Sequence, residues 1–265
     1  MGRLDAVLRA SLPGEPERLA ALDTAIRSPL PLSTGVGIVG AGRDAPTAVV
    51  GGLLAGVLAA RRPHRVLAVG AQPVAHGIGW HAGLAPTAGA GDRDIAKRSA
   101  AGTGAEATDG LGRTPGGAWV LDLADEPARW WEAVAPISRF FDFVLTDWGT
   151  PSDLDDARAT SVVLLVVVAA DPAALQSGVD LAAQLATSRV TPLLVMHDTG
   201  AGHAPALRTA AAVNEAHWLP TDRGLRTSAP TSNRRLRYTT SIAVLGLAAA
   251  VVDAAVVRNL EGVPR

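Results

Sequence analysis

From Val162 to Ala170 the chain reads VVLLVVVAA, apolar and rich in β-branched residues without a break. A strand with one wet face would alternate apolar and polar residues. An unbroken run predicts a central strand covered on both sides, as in a parallel sheet between helical layers. Its surroundings agree. Apolar strand candidates fall at Val36–Val39, Arg65–Val69, Ala118–Leu121, Phe143–Thr146, Val162–Ala169, Pro192–Met196 and His217–Leu219. Helical patterns fall between them, at Thr47–Ala60, Pro127–Phe140, Pro172–Thr187 and Ala204–Glu215. Alternating strands and helices predict an α/β fold, a mostly parallel central sheet with helices on both faces. Residues 1–34 read as a short N-terminal helical extension, with Leu19, Leu22 and Ile26 on one helical face, before an α/β domain over 35–260. From Gly83 to Gly117 the rhythm breaks. That Gly/Ala/Thr-rich stretch reads as a long surface excursion, partly mobile, with one short helix in DRDIAKRSA.

Composition narrows the function. With 48% hydrophobic and 18% charged residues over 265 positions, the chain is globular. A net charge of −1 gives no overall attraction to nucleic acid or anionic lipid, so neither is expected as a partner. Without cysteine there is no disulfide, thiolate catalysis or Cys-based metal site, which fits a cytoplasmic location. The first thirty residues carry Asp5, Glu15, Glu17 and Asp23 and lack the apolar core of a signal peptide. The longest apolar stretch, Thr239 to Val257, contains Asp253. That aspartate would cost about 3 kcal/mol near a bilayer centre, so a buried C-terminal helix is expected and not a membrane span. The six histidines show no metal-ligand spacing, and no Ser-His-Asp or G-x-S-x-G pattern is present.

The stretch IVGAGRDAPTAVVGG, Ile38 to Gly52, lies between a strand and a helix, where a phosphate-binding loop belongs. Gly40, Gly42 and Ala45 fit G-x-G-x-x-A, the dinucleotide fingerprint. The acidic residue that should end the next strand and hold the ribose is missing, for Gly70, Ala71 and Gln72 stand there. The alternative is a P-loop, whose backbone and lysine cradle phosphates while a hydroxyl holds magnesium. The sole lysine of the chain is Lys97, far from the loop in sequence. Arg43 is the nearby cation, and a guanidinium does not replace a compact ammonium at close quarters.

Four phrases carry a resemblance: IRSPLP before the first strand, RVLAVGAQP, FDFVLTDWGT and WLPTDRGLR. From about Ile26 to Val257 the chain resembles the MinD/ParA-like ATPases, the deviant Walker A branch of the SIMIBI-class P-loop NTPases. It looks most like actinobacterial members associated with type VII (ESX) secretion. The resemblance implies that Ala41 and Pro46 stand where the family has lysines. Thr47 then stands at the magnesium-binding threonine, Gly70 at the aspartate that handles the attacking water, and Gln72 at an asparagine. Gly40, Gly42, Arg43, Thr47, Asp147 and Gly149 would form a vestigial pocket. Each lost charge-assisted hydrogen bond costs roughly 1.5–3 kcal/mol, so two missing lysines weaken polyphosphate binding on the order of a thousandfold. The expectation is a pseudo-ATPase with no cofactor and no catalytic or metal-binding residue. It would act through protein partners, including secretion-system components, and any homodimer would not depend on nucleotide. The alternatives are a divergent active ATPase using ATP and magnesium through Thr47 and Asp147, and a Rossmann-like dinucleotide-binding protein.

Beyond the loop, Asp147 also fits a carboxylate that caps the following turn. Trp148 would plug vacated phosphate space or cover a partner-facing edge. Trp130, Val134 and Ile137 share a helical face and belong in the core, while Trp131 points elsewhere as a candidate partner anchor. Arg234, Arg235 and Arg237 gather before the last helix, where a solvated face or an interaction patch is expected.

Overall fold

The unbroken apolar run forms a strand in the interior of a sheet. In the computed structural model, which describes residues 14–30, 32–42, 44–72, 76–85, 91–123, 126–200, 204–225, 229–231 and 236–261, β6 (Val163–Ala169) pairs in parallel with β1 (Thr34–Gly40) and β7 (Thr191–His197). Beyond β1 lie β5 (Phe143–Gly149), β2 (Val66–Gly70) and β4 (Trp119–Asp122), and beyond β7 lies β8 (His217–Leu219), all parallel. A two-residue strand, β3 (Gly112–Arg113), runs antiparallel to β4 at the far edge. The order across the eight strands is β3-β4-β2-β5-β1-β6-β7-β8. This is the predicted α/β class. It is not the dinucleotide-binding topology, because β5 separates β1 from β2, and the fingerprint needs those two strands side by side.

Alternate side chains of β6 enter two separate apolar layers. Val163, Leu165 and Val167 join a layer covered by α1 (Glu15–Ile26), α2 (Thr47–Arg61), α3 (Ile78–His81) and α10 (Tyr238–Glu261). Leu164, Val166 and Val168 join the opposite layer. That layer is covered by α4 (Asp92–Ser99), α5 (Gly104–Thr108), α6 (Trp130–Ala133), α7 (Asp155–Thr160), α8 (Pro172–Ala186) and α9 (Ala204–Val213). α10 is long and apolar enough to cross a bilayer over Tyr238–Arg258, yet it packs along α1, α2 and β6 to β8. Its buried residues Val244, Leu247, Ala248, Val251, Val252 and Ala255 repeat at helical spacing, as a core helix requires. α2 approaches α3 closely because Gly52 has no side chain. A Cβ there would lie 2.4 Å from the Cβ of His81.

Two stretches depart from expectation. The pattern over Pro127–Phe140 is not one helix: a 3-10 turn at Pro127–Arg129, the short α6 and a second 3-10 turn at Ser138–Phe140 replace it. Pro136 accounts for the break, since its ring excludes the donor that would bond Glu132. Trp130, Val134 and Ile137 are nevertheless buried together. The described residues of the Gly/Ala-rich excursion hold more regular structure than the one short helix expected. They form α4, α5 and β3, and α5 starts with a reciprocal Thr103–Glu106 capping box. Ile95, Ala101 and Ala107 anchor it in the core.

Candidate functional site

The carboxyl ends of β1, β2 and β5 and the start of α2 converge on one point. Pro46 sits at the N-cap of α2 and Thr47 is its first helical residue. β5 carries a bulge here: Ile38 pairs with Asp147 and Val39 with Gly149, so Trp148 is the extra residue. The bulge is followed by Gly149 in the left-handed region (φ +65°), whose amide donates to Asp147 Oδ1 at 3.1 Å. Asp147 therefore caps the turn that follows it.

Gln72 ties the site together. Its Nε2 donates to Thr47 Oγ1 at 2.9 Å and to Asp147 Oδ2 at 2.8 Å. Both protons of the amide are thus used between a hydroxyl and a carboxylate, the pair of oxygens that a divalent cation would share in a P-loop site. The amide carbonyl lies against Gly149: a Cβ on that glycine would be 1.9 Å from Gln72 Oε1. Gly149 is required here twice, by its backbone angle and by this contact. Asp147 is 0% exposed, and burial pushes its carboxyl above the usual carboxylate range. Hydrogen bonds from Gln72, Thr47 and the Gly149 amide pull it partly back.

The loop itself is packed more tightly than a glycine pattern reveals. A Cβ on Gly40 would lie 2.7 Å from both Ala45 Cβ and Thr150 Oγ1. Thr150 Oγ1 donates to the Gly42 carbonyl at 3.3 Å. Gly42 is in the left-handed region (φ +105°). Asp44, an exposed carboxylate, stands in the loop and opposes any incoming phosphate. Arg43 lies outside the described residues. Lys97 is on α4, exposed and paired with Asp109, and does not serve the loop. Gly70 has room for a side chain, its nearest neighbours being Ile78 at 3.8 Å and Asp122 at 3.9 Å, but it carries no carboxylate. Among the described residues the loop carries one anion, Asp44, and no cation, and the position between Thr47 and Asp147 is held by an amide.

Trp148 does not plug this space. It is 7% exposed and lies in the layer containing Trp130, its ring centroid 6.5 Å away. Strand alternation sends Trp148 to one face and Asp147 to the other. The Trp148 ring instead forms part of a hollow of about 400 Å³ with Gln72, Pro127, Pro151, Asp153 and Asp156. Trp131 is 47% exposed, stacks edge-on against Trp130 and donates its Nε1 to Asp156 at 3.1 Å. Arg237 is exposed and its backbone N–H bonds Asp222, while Arg234 and Arg235 lie outside the described residues. The structure thus joins Gly40, Gly42, Thr47, Asp147 and Gly149 in one site and leaves Trp131 and Arg237 apart from it. Sequence reasoning named Gln72 without its contacts, since its partners lie 25 and 75 residues away. It also passed over Asp44, whose sign beside a phosphate loop was legible.

No protein-family model matches the chain, and no curated protein does. Solved structures do. A ParA family ATPase from Chlorobium tepidum superposes with a TM-score of 0.62 at 12% identity, covering 82% of this chain and 98% of that one. The fold is that of the MinD and ParA ATPases. MinD of Pyrococcus horikoshii, solved with Mg-ADP, gives 0.59 at 16% identity over 85% of this chain and 98% of its own. MinD in the MinC:MinD complex of Aquifex aeolicus gives 0.54 at 14% identity over 88% and 97%. In the MinD/ParA-like fold of this chain, Thr47, Gln72 and Asp147 sit at the carboxyl end of the parallel strands.

Proposed function

We propose that this chain is a catalytically inactive MinD/ParA-like protein, a pseudo-ATPase that works as an interaction or regulatory component. The observation that supports it is the Gln72 amide bridging Thr47 and Asp147. Those two oxygens are satisfied without a metal ion, and loading one would first break both hydrogen bonds. Ala41 and Pro46 at the two lysine positions remove the charges that would hold a triphosphate and stabilise the transition state. What remains of a MinD/ParA fold without nucleotide chemistry is its surface, and Trp131 offers an exposed aromatic anchor there. One structural neighbour is solved as a complex with a protein partner, which supports a protein-binding role. Any homodimer would form without nucleotide. A cytoplasmic site of action and a place in type VII secretion complete the reading, the latter on the resemblance of IRSPLP, RVLAVGAQP, FDFVLTDWGT and WLPTDRGLR.

The second reading is a divergent ATPase in which magnesium displaces the Gln72 amide, and the closeness of Thr47 and Asp147 favours it. Calorimetry with ATP and magnesium separates the two, with phosphate release measured on the same preparation. The pseudo-ATPase gives no saturable heat below about 1 mM and no turnover. Micromolar binding that Thr47→Ala abolishes, or steady release of phosphate, would establish the divergent enzyme instead. A thermal-shift arm with NADH and FAD should be flat. Co-purification from the native host tests the secretion link, which fails if no secretion component is recovered with the chain.

A further inference from the structure

A second hollow lies away from the Gly40–Thr47 loop, along the outer edge of β8. It measures about 650 Å³, within the range of small-molecule sites. Its floor is Trp218 together with Ile242, Ala243 and Gly246 of α10. No heavy atom outside the helix's own backbone lies within 4 Å of where a Gly246 Cβ would be, so the groove is open down to the helix backbone. Arg208 of α9 and Arg18 of α1 both line it.

One acid, Glu15, lines the groove with these two arginines. Arg18 meets Glu15 at 3.7 Å. Glu15 is also held by Tyr238, whose hydroxyl donates to Oε1 at 2.6 Å. Arg208 makes no ion pair among the described residues. His217 also lines the groove, and burial lowers its basicity, so the positive charge of the rim is that of the arginines.

We propose that this groove binds a small organic anion, a phosphate or carboxylate carried on an aromatic or similarly flat apolar body. The guanidinium groups take the charged end with paired donors. The apolar end lies on Trp218 and Ile242 over the space at Gly246. The edge of β8 does not favour a peptide strand here. The strand is three residues long, and Pro220 follows it without a donor N–H. This site and the pseudo-ATPase reading are independent, for no residue lining the groove belongs to the phosphate loop.

The test is titration of the full chain with phenyl phosphate, benzoate and inorganic phosphate, read by tryptophan fluorescence and by calorimetry. Phenyl phosphate or benzoate should saturate with a submillimolar Kd, the pair showing whether phosphate or carboxylate is preferred. Arg208→Ala, at an exposed position, should weaken binding roughly ten- to hundredfold. Gly246→Phe should fill the groove and remove binding, and its thermal melt should be no lower than that of the wild type, which shows that it folds. Equal affinity for inorganic phosphate would overturn the apolar half of the site. No saturation by either organic anion up to about 10 mM would overturn the whole, as would binding that both substitutions leave unchanged.

Discussion

Gln72 decides how the residues around it behave. Its amide gives two donors to two acceptors, and nothing else described stands between Thr47 and Asp147. Replacing it with glutamate keeps the shape and inverts the chemistry, placing a second carboxylate against a buried one. Gln72→Glu should destabilise the fold on the order of 3 kcal/mol at pH 7.5. The loss should shrink as the pH falls, because one proton shared by the two carboxyls relieves the repulsion. Urea melts at pH 7.5 and pH 5 read this directly, and an equal loss at both would refute the contact. His81 gives a second pH signature. Burial, with smaller contributions from His76 and His197, lowers its pKa from 6.5 to about 4. In the unfolded chain it takes up a proton near pH 6.5 while the folded chain refuses it, so folding is favoured above that pH. That contribution falls away as the pH drops from 6.5 towards 4, up to about 3 kcal/mol in all. Glutamine at 81 should flatten this part of the stability profile in denaturant melts between pH 7 and pH 4.

At the scale of the element, α10 carries the clearest expectation. Gly246 lies inside a 24-residue helix with free space at its missing side chain. Gly246→Ala should therefore stabilise the protein by about 1 kcal/mol, visible as a raised Tm. A lowered Tm would mean that a neighbour occupies that space. Gly52 in α2 predicts the reverse, since α3 rests against it; alanine there would push two packed helices apart. Two glycines in helices thus have opposite expectations, and only their surroundings separate them. The helix pattern over 127–140 teaches a related lesson. Its apolar spacing found the buried face correctly, yet Pro136 divided the helix. Burial follows spacing, while continuity follows the backbone donor.

At the scale of the whole molecule, the described residues form one sheet between two layers, with α1 sharing the core of the rest. Ile26 is 0% exposed and packs in the same layer as α2 and α10. Arg62, buried at the end of α2, donates to the carbonyls of Ile26 and Ser28 and pairs with Asp142 at 2.9 Å. The N-terminal segment is thereby tied to the start of β5. Ile26→Ala should cost about 2–5 kcal/mol and lower the single unfolding transition as a whole. A separate early transition, with the main one unmoved, would show that α1 stands apart from the domain.

By itself the sequence determined the layered α/β class, because burial on both faces is written as an unbroken apolar run and burial on one face as helical spacing. It also determined that no lysine stands in the loop from Gly40 to Thr47, since the one lysine of the chain is Lys97. The tertiary structure alone decided which contacts form there. Gln72 meets Thr47 and Asp147 only when three strand ends and a helix start are brought together, and Trp148 meets Trp130 only when the layer over that face of β5 is closed. Local periodicity records which side of an element faces apolar neighbours. Contacts between distant residues arise from closing the chain, and no local pattern specifies them.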